Sequence, residues 1–197
     1  MSQIWLEDAR FYFQKFYQRD NETAGKSKGI IFRALLFPEY RVIFRYRIYS
    51  KLYSSDSILK KKAAMVLYLS TKVKYSTDIH PNAKIGVPFR IGHHMGIVIG
   101  PEVVVGRHCY VFNGVTLGNK NVGVTEYSMP KVGDNVLIST GCKVLGNITI
   151  GANSILAANS VVTKTIGSNE VWGGVPARFI KANEVIPEVV KSTSGCK

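Results

Sequence analysis

The chain has 197 residues, 46% of them hydrophobic, and 26 Lys and Arg against 13 Asp and Glu give it a net charge of +13. That length suits one domain with a small appendage, and the basic balance points to anionic partners: phosphate groups, acidic polymers or a membrane surface. No signal peptide, no 18-residue apolar run and no nucleic-acid-binding motif is visible, and three cysteines without a CxxC pair fit a reducing cytoplasm rather than a disulfide scaffold.

Residues 1–19 are rich in aromatics (Trp5, Phe11, Tyr12, Phe13, Phe16, Tyr17) at roughly helical spacing, and residues 20–29 are polar and read as a linker or turn. Pro38 suits the first turn of a helix, which then mixes aromatic and basic residues through Leu52. A second helix is predicted from Ser57 to about Thr71 and carries Lys60, Lys61 and Lys62. Two compatible readings exist for these helices. They pack on the end of the region beyond Asp78 with their charges in water, or they present a basic amphipathic surface to anionic lipid.

From Ile79 to Ile166 the pattern changes. A branched aliphatic or Leu returns every sixth residue: Ile79, Ile85, Ile91; then Ile99, Val105, Val111, Leu117; then Val132, Ile138, Val144, Ile150, Leu156, Val162. Four residues after each, a second slot recurs, mostly small or apolar, and it includes Ala83, Phe89, Met95, Cys109, Cys142, Ser154 and Ser160. A helix would place its apolar residues at intervals of three and four. Two inward positions per six residues, with Gly or a polar residue between them, describe short strands and tight corners. A fixed period of this kind marks a solenoid, here a parallel β-helix whose turns bury their aliphatics on one another. Cys109 and Cys142 are thereby expected to be buried packing residues, while Cys196 sits in a polar tail. The register breaks twice, by two residues between Ile91 and Ile99 and by nine between Leu117 and Val132. The longer break is a loop thrown out from the coil, and such loops often carry function. The expected organisation is a helical region over 1–77, the β-helix over 78–181 and a short helix and tail over 182–197.

Five segments in order, Asp78-Ile-His-Pro-Asn-Ala-Lys-Ile-Gly86, His93-His-Met-Gly-Ile-Val-Ile-Gly100, Gly114-Val-Thr-Leu-Gly118, Leu145-Gly-Asn-Ile-Thr-Ile-Gly151 and Gly174-Val-Pro-Ala-Arg178, resemble the hexapeptide-repeat acyltransferases. The branch they resemble holds serine O-acetyltransferases and capsular or exopolysaccharide O-acetyltransferases. The resemblance implies a left-handed β-helix, a homotrimer with active sites between neighbouring subunits, and acetyl-CoA as acetyl donor. No metal is expected, because the four histidines do not show the spacing of the metal enzymes built on this fold.

Moving an acetyl group from a thioester to a hydroxyl needs a base for the hydroxyl proton, donors for the oxyanion and a slot for the CoA arm. Histidine is the natural base near neutral pH, and His80, His93, His94 and His108 are available, each also readable as an ordinary surface residue. The resemblance puts His93 at the position of the catalytic base and Asp78 at the position of the carboxylate that pairs with it; His94, next in the chain, is the second candidate for the base and an acceptor contact. For CoA it points to Thr140, Ala158, Thr163, Lys164 and Arg178. The plain reading of Lys164 and Arg178 is a solvated basic end of the coil, and Trp172 reads either as adenine-side packing or as a cap on the last turn. Serine acetyltransferases carry an Asp just before the catalytic His, where this chain has Gly92, and Arg-His in the loop where it has Ser128-Met129. A zwitterion wants paired charges. These departures therefore favour a carbohydrate acceptor, a capsular polysaccharide or its precursor, with Asn113 and Tyr127 as contacts. Serine is the alternative acceptor and a non-catalytic scaffold the alternative of another class. Such an enzyme would be cytoplasmic, with peripheral contact at the inner face of the membrane through the basic helices.

Overall fold

The computed structural model describes residues 2–14, 31–32, 34–120 and 129–184. Helices come first, among them α1 (Ser2–Gln14), α2 (Pro38–Tyr53) and α3 (Ile58–Tyr75). Pro38 opens α2 with Glu39 in its first turn, and α3 ends with Lys72 and Lys74 in its last turn and Ser76 in the left-handed conformation. Those charges suit the helix ends they occupy.

The rest is a parallel β-helix of about four turns with three flat faces. The first face stacks β1 (Asp78–Ile79), β4 (Val98–Ile99), β7 (Thr116–Gly118), β10 (Lys143–Leu145) and β13 (Val161–Val162). The second stacks β2 (Lys84–Ile85), β5 (Val104–Val105), β8 (Lys131–Val132) and β11 (Thr149–Ile150). The third stacks β3 (Phe89–Gly92), β6 (Cys109–Phe112), β9 (Leu137–Ile138), β12 (Ile155–Leu156) and β14 (Glu170–Gly174), and β15 (Ala177–Ala182) closes it antiparallel to β14.

The six-residue period is the cause of this arrangement. Ile79, Ile99, Leu117, Val144 and Val162 lie in register as one buried column. Ile85, Val105, Val132 and Ile150 form a second, and Ile91, Val111, Ile138 and Leu156 a third. Each turn removes its aliphatics from water only against the turns on either side. The second slot is filled as its residue types suggest, with Cys109 and Cys142 buried and Ser154 and Ser160 satisfying their hydroxyls on the carbonyls of Gly167 and Ala157. Met95 departs from expectation. β3 runs on to Gly92 and the two extra residues move the register, so Ile97 is 0% exposed in the inward place and Met95 is 60% exposed.

The open end of the coil explains the helices. N–H groups of the first turn donate to the turn above, as Asp78 does to Ile97 and Lys84 to Val103, so carbonyls of this turn face outward along the axis. An edge of this kind invites further pairing unless it is covered. Here Tyr49 Oη donates to Ile79 O at 2.7 Å, Tyr46 Oη to Ala83 O at 2.6 Å and Ser50 Oγ to Pro81 O at 2.9 Å. Arg47 reaches Ile85 O and Gly86 O while its guanidinium pairs with buried Asp8, which also accepts from Phe89 N at 2.8 Å. At the other end, Trp172 packs on the core and edge-on to Phe179, with its Nε1 donating to Glu170 at 2.7 Å, so it caps the last turn. Ala182, expected to begin the tail, belongs to β15, and residues 185–197 lie outside the described ones.

Candidate active site

One corner of the coil, between the third and first faces, gathers much of the expected site. Its successive turns present His93-His94-Met95-Gly96, Asn113-Gly114, Thr140-Gly141 and Ala158-Asn159. Backbone bonds stack them: Gly114 N donates to Met95 O, Gly141 N to Asn113 O and Asn159 N to Thr140 O, all at 2.8–2.9 Å. Gly96, Gly114 and Gly141 have φ of +71°, +67° and +72°, a conformation that suits Gly. A side chain at 141 would also meet Asn159 Oδ1 at 2.1 Å. The result is a line of small residues along the coil edge with His93 exposed at its start and Ala158 exposed at its end. Thr140 Oγ1 donates to Asn113 Oδ1 at 3.0 Å, so these two candidates form one polar step midway.

His93 and His94 are treated differently. His93 holds a left-handed φ of +57° and stands in solvent. The half-buried His94 ring turns toward the helices, its Nδ1 3.7 Å from Glu39 Oε1 and its centroid 5.7 Å from that of the Tyr75 ring, edge to face. His94 thus ties the corner to α2 and α3 in this chain. Thr77 Oγ1 donates to His94 O at 2.6 Å, which links the residue before Asp78 to the residue after His93.

The structure does not join Asp78 to His93 side chain to side chain. Asp78 Oδ1 accepts from Tyr68 Oη at 2.5 Å and Oδ2 pairs with Lys72 Nζ at 2.6 Å. Tyr68 and Lys72 sit one turn apart on α3, the spacing that puts two side chains on one helix face. The pair escapes a reading centred on the repeat, and its only sequence signal is that spacing on the helix leading into Asp78. His80 lies in the same neighbourhood, its ring 6.1 Å from that of Tyr68 and 6.4 Å from that of Tyr53. Its Nδ1 accepts from Asn82 N at 3.1 Å, and burial lowers its pKa below the usual value.

The remaining CoA candidates are not on this corner. Thr163 and Lys164 come directly after β13 at the opposite edge of the first face, with Lys164 exposed. Arg178 is exposed on β15, its Nη1 donating to Ala177 O at 3.1 Å. Tyr127 lies outside the described residues. Among the described residues no three His, Cys, Asp or Glu stand close enough to hold a metal ion.

Two substitutions that favoured a carbohydrate acceptor have packing causes. A Cβ on Gly92 would come 2.6 Å from Tyr110 Oη and 2.9 Å from Phe112 Cδ1. Those rings stack with centroids 4.4 Å apart on the strand above, so a side chain at 92 requires them to shift. Met129 packs against the core beside Gly100, whose Cβ would lie 3.1 Å from its Sδ.

The bacterial transferase hexapeptide (six repeats) family model matches residues 129–164. A serine acetyltransferase of Staphylococcus xylosus is 39% identical over 140 residues, 69% of this chain and 63% of that protein. Serine acetyltransferase 2 of Arabidopsis thaliana is 33% identical over 175 residues, 89% of this chain and 52% of that one. The chain thus spans between about half and two thirds of the length of these curated relatives. Among solved structures, serine acetyltransferase of Brucella abortus strain S19 in complex with coenzyme A superposes with a TM-score of 0.76 at 32% identity, covering 91% of this chain and 69% of that one. Serine acetyltransferase of Neisseria gonorrhoeae in complex with serine gives 0.75 at 28% identity, with the same coverage. These relatives overturn the carbohydrate acceptor and the capsular role expected from Gly92 and Met129, since proteins acting on serine are what the chain matches over nearly its whole described length. The chain thus belongs to the hexapeptide-repeat transferases, in the serine acetyltransferase family.

Proposed function

We propose that the chain transfers the acetyl group of acetyl-CoA to the hydroxyl of L-serine. The observation that carries this reading is kinship with serine acetyltransferases, two of whose solved neighbours hold coenzyme A and serine respectively. The exposed His93 at the head of a smooth corner supports it.

In this reading His93 takes the proton of the serine hydroxyl as the oxygen attacks the thioester carbonyl. A C–O bond forms, the carbonyl passes through a tetrahedral oxyanion, the C–S bond breaks, and the imidazolium returns its proton to the departing sulfur. No covalent enzyme intermediate is needed. Thr140 and Ala158 line the corner along which the CoA arm lies, with small side chains. Lys164 and Arg178 are the cations for its phosphates, where Arg can bind two oxygens at once. Asp78 supplies a carboxylate next to the Thr77–His94 link, oriented by Tyr68 and Lys72. Asn113, hydrogen-bonded to Thr140, stands where an acceptor would pass.

A homotrimer completes the site. Met95 and Val98 beside His93 are exposed apolar side chains, and a neighbouring subunit would cover them. The candidates on the two edges of the first face would then meet across the subunit boundary. Incubation with acetyl-CoA and L-serine, followed by mass spectrometry, tests the reaction. O-acetylserine is the expected product, and free CoA without acetylated serine would contradict it.

A further inference from the structure

α3 is apolar on the side that faces away from the protein. Its packed side is Ala64, Thr71 and Tyr75. On the other side Ile58, Leu59, Val66, Leu69 and Val73 are 73, 78, 69, 50 and 83% exposed. Leu59, Val66 and Val73 recur every seventh residue, two helical turns apart, so they form one line pointing into solvent. Ile58 and Leu69 widen it. Lys62 stands within the stripe and Lys61 and Lys74 to either side of it, all exposed, and the helix contains no Asp or Glu. Among the described residues, none buries this row.

We propose that this face of α3 docks on an anionic lipid bilayer, with the stripe at the boundary of headgroups and acyl chains and the lysines against the headgroup phosphates. A lysine-flanked apolar stripe is how a helix lies in a membrane interface. Charge chooses the occupant. A second copy of α3 would set lysines against lysines with no carboxylate between them, whereas the negative surface of a bilayer complements both the helix and a chain of net charge +13. The arginines of α2 take no part, because Arg41, Arg45 and Arg47 are engaged by Leu36 O, by Thr71 and by Asp8. Lys72 is likewise held by Asp78. The contact is peripheral, since no helix among the described residues is long and apolar enough to cross a membrane. This inference is independent of the acetyl acceptor.

The test is co-sedimentation of the full chain with vesicles of phosphatidylcholine alone or with roughly a third phosphatidylglycerol. The chain sediments with the anionic vesicles and stays free of the neutral ones. Val66→Glu, on an exposed position, weakens the binding by roughly tenfold or more with circular dichroism, oligomeric mass and acetyl transfer unchanged. Replacing Lys60, Lys61 and Lys62 with Gln weakens it too. Failure to bind the anionic vesicles, or Val66→Glu binding like the parent, overturns the proposal. A change of oligomeric mass in Val66→Glu also overturns it, by assigning the stripe to an interface between copies.

Discussion

Asp78 illustrates what single residues decide in this protein. Its two carboxylate oxygens are held by Tyr68 and Lys72, through a hydrogen bond of 2.5 Å and an ion pair of 2.6 Å. Lys72→Met removes one of the two contacts that orient this carboxylate. In the proposed reading kcat/KM for acetyl transfer falls while CoA binding is kept, and Lys72→Arg restores it. An unchanged kcat/KM in Lys72→Met would make Lys72 a purely structural residue. The cysteines give a second residue-scale outcome. Burial pushes the thiols of Cys109 and Cys142 up to about 12. Both stay protonated at pH 8 and neither presents a thiolate, which is the reactive form. In a Cys196→Ser variant, Ellman's reagent labels no thiol until denaturant is added. The burial of both was legible in sequence, since each falls in the inward slot of the repeat. The Tyr68–Lys72 clamp was not, because α3 has its own period and only the fold sets it against β1.

Gly92 shows how much an element constrains a site. It closes β3 directly beneath Phe112 of β6, and the Tyr110 and Phe112 rings occupy the space a side chain would need. Gly92→Asp accordingly destabilises the chain by about 1–3 kcal/mol through overpacking, measured as the denaturant midpoint. Tyr110→Ala in the same chain relieves most of that loss. Full stability of Gly92→Asp alone would return the missing acid to a role in choosing the acceptor. The strands show why the fold was readable from the repeat: thirteen inward aliphatics at six-residue spacing admit one stacking, and every one of them is buried. The acceptor was not readable, because a residue absent from a motif has two physical meanings. Gly92 and Met129 could mark a different substrate or a different neighbour, and it is the kinship with serine acetyltransferases that decides, with the rings of Tyr110 and Phe112 and the contact with Gly100 as the neighbours concerned. Met95 misled for a related reason, since a two-residue slip changes which side chain points inward.

For the whole molecule, the helices and the coil act as one unit. α2 closes the first turn through Tyr46, Tyr49 and Arg47, and α3 carries the clamp on Asp78 inside and the apolar stripe outside. The corner from His93 to Ala158 offers one continuous edge for a long thin donor, and its exposure in a single chain is what assembly into a trimer would relieve. The proposed acetyl transfer to serine, with His93 as its base, is tested by the rate of CoA thiol release from acetyl-CoA, with and without L-serine, in the parent chain and in His93→Ala. Serine-dependent release is expected in the parent, and a loss of roughly a hundredfold or more in His93→Ala, with its fold and CoA binding retained. Serine-independent release by the parent, or an undiminished rate in His93→Ala, would contradict that role.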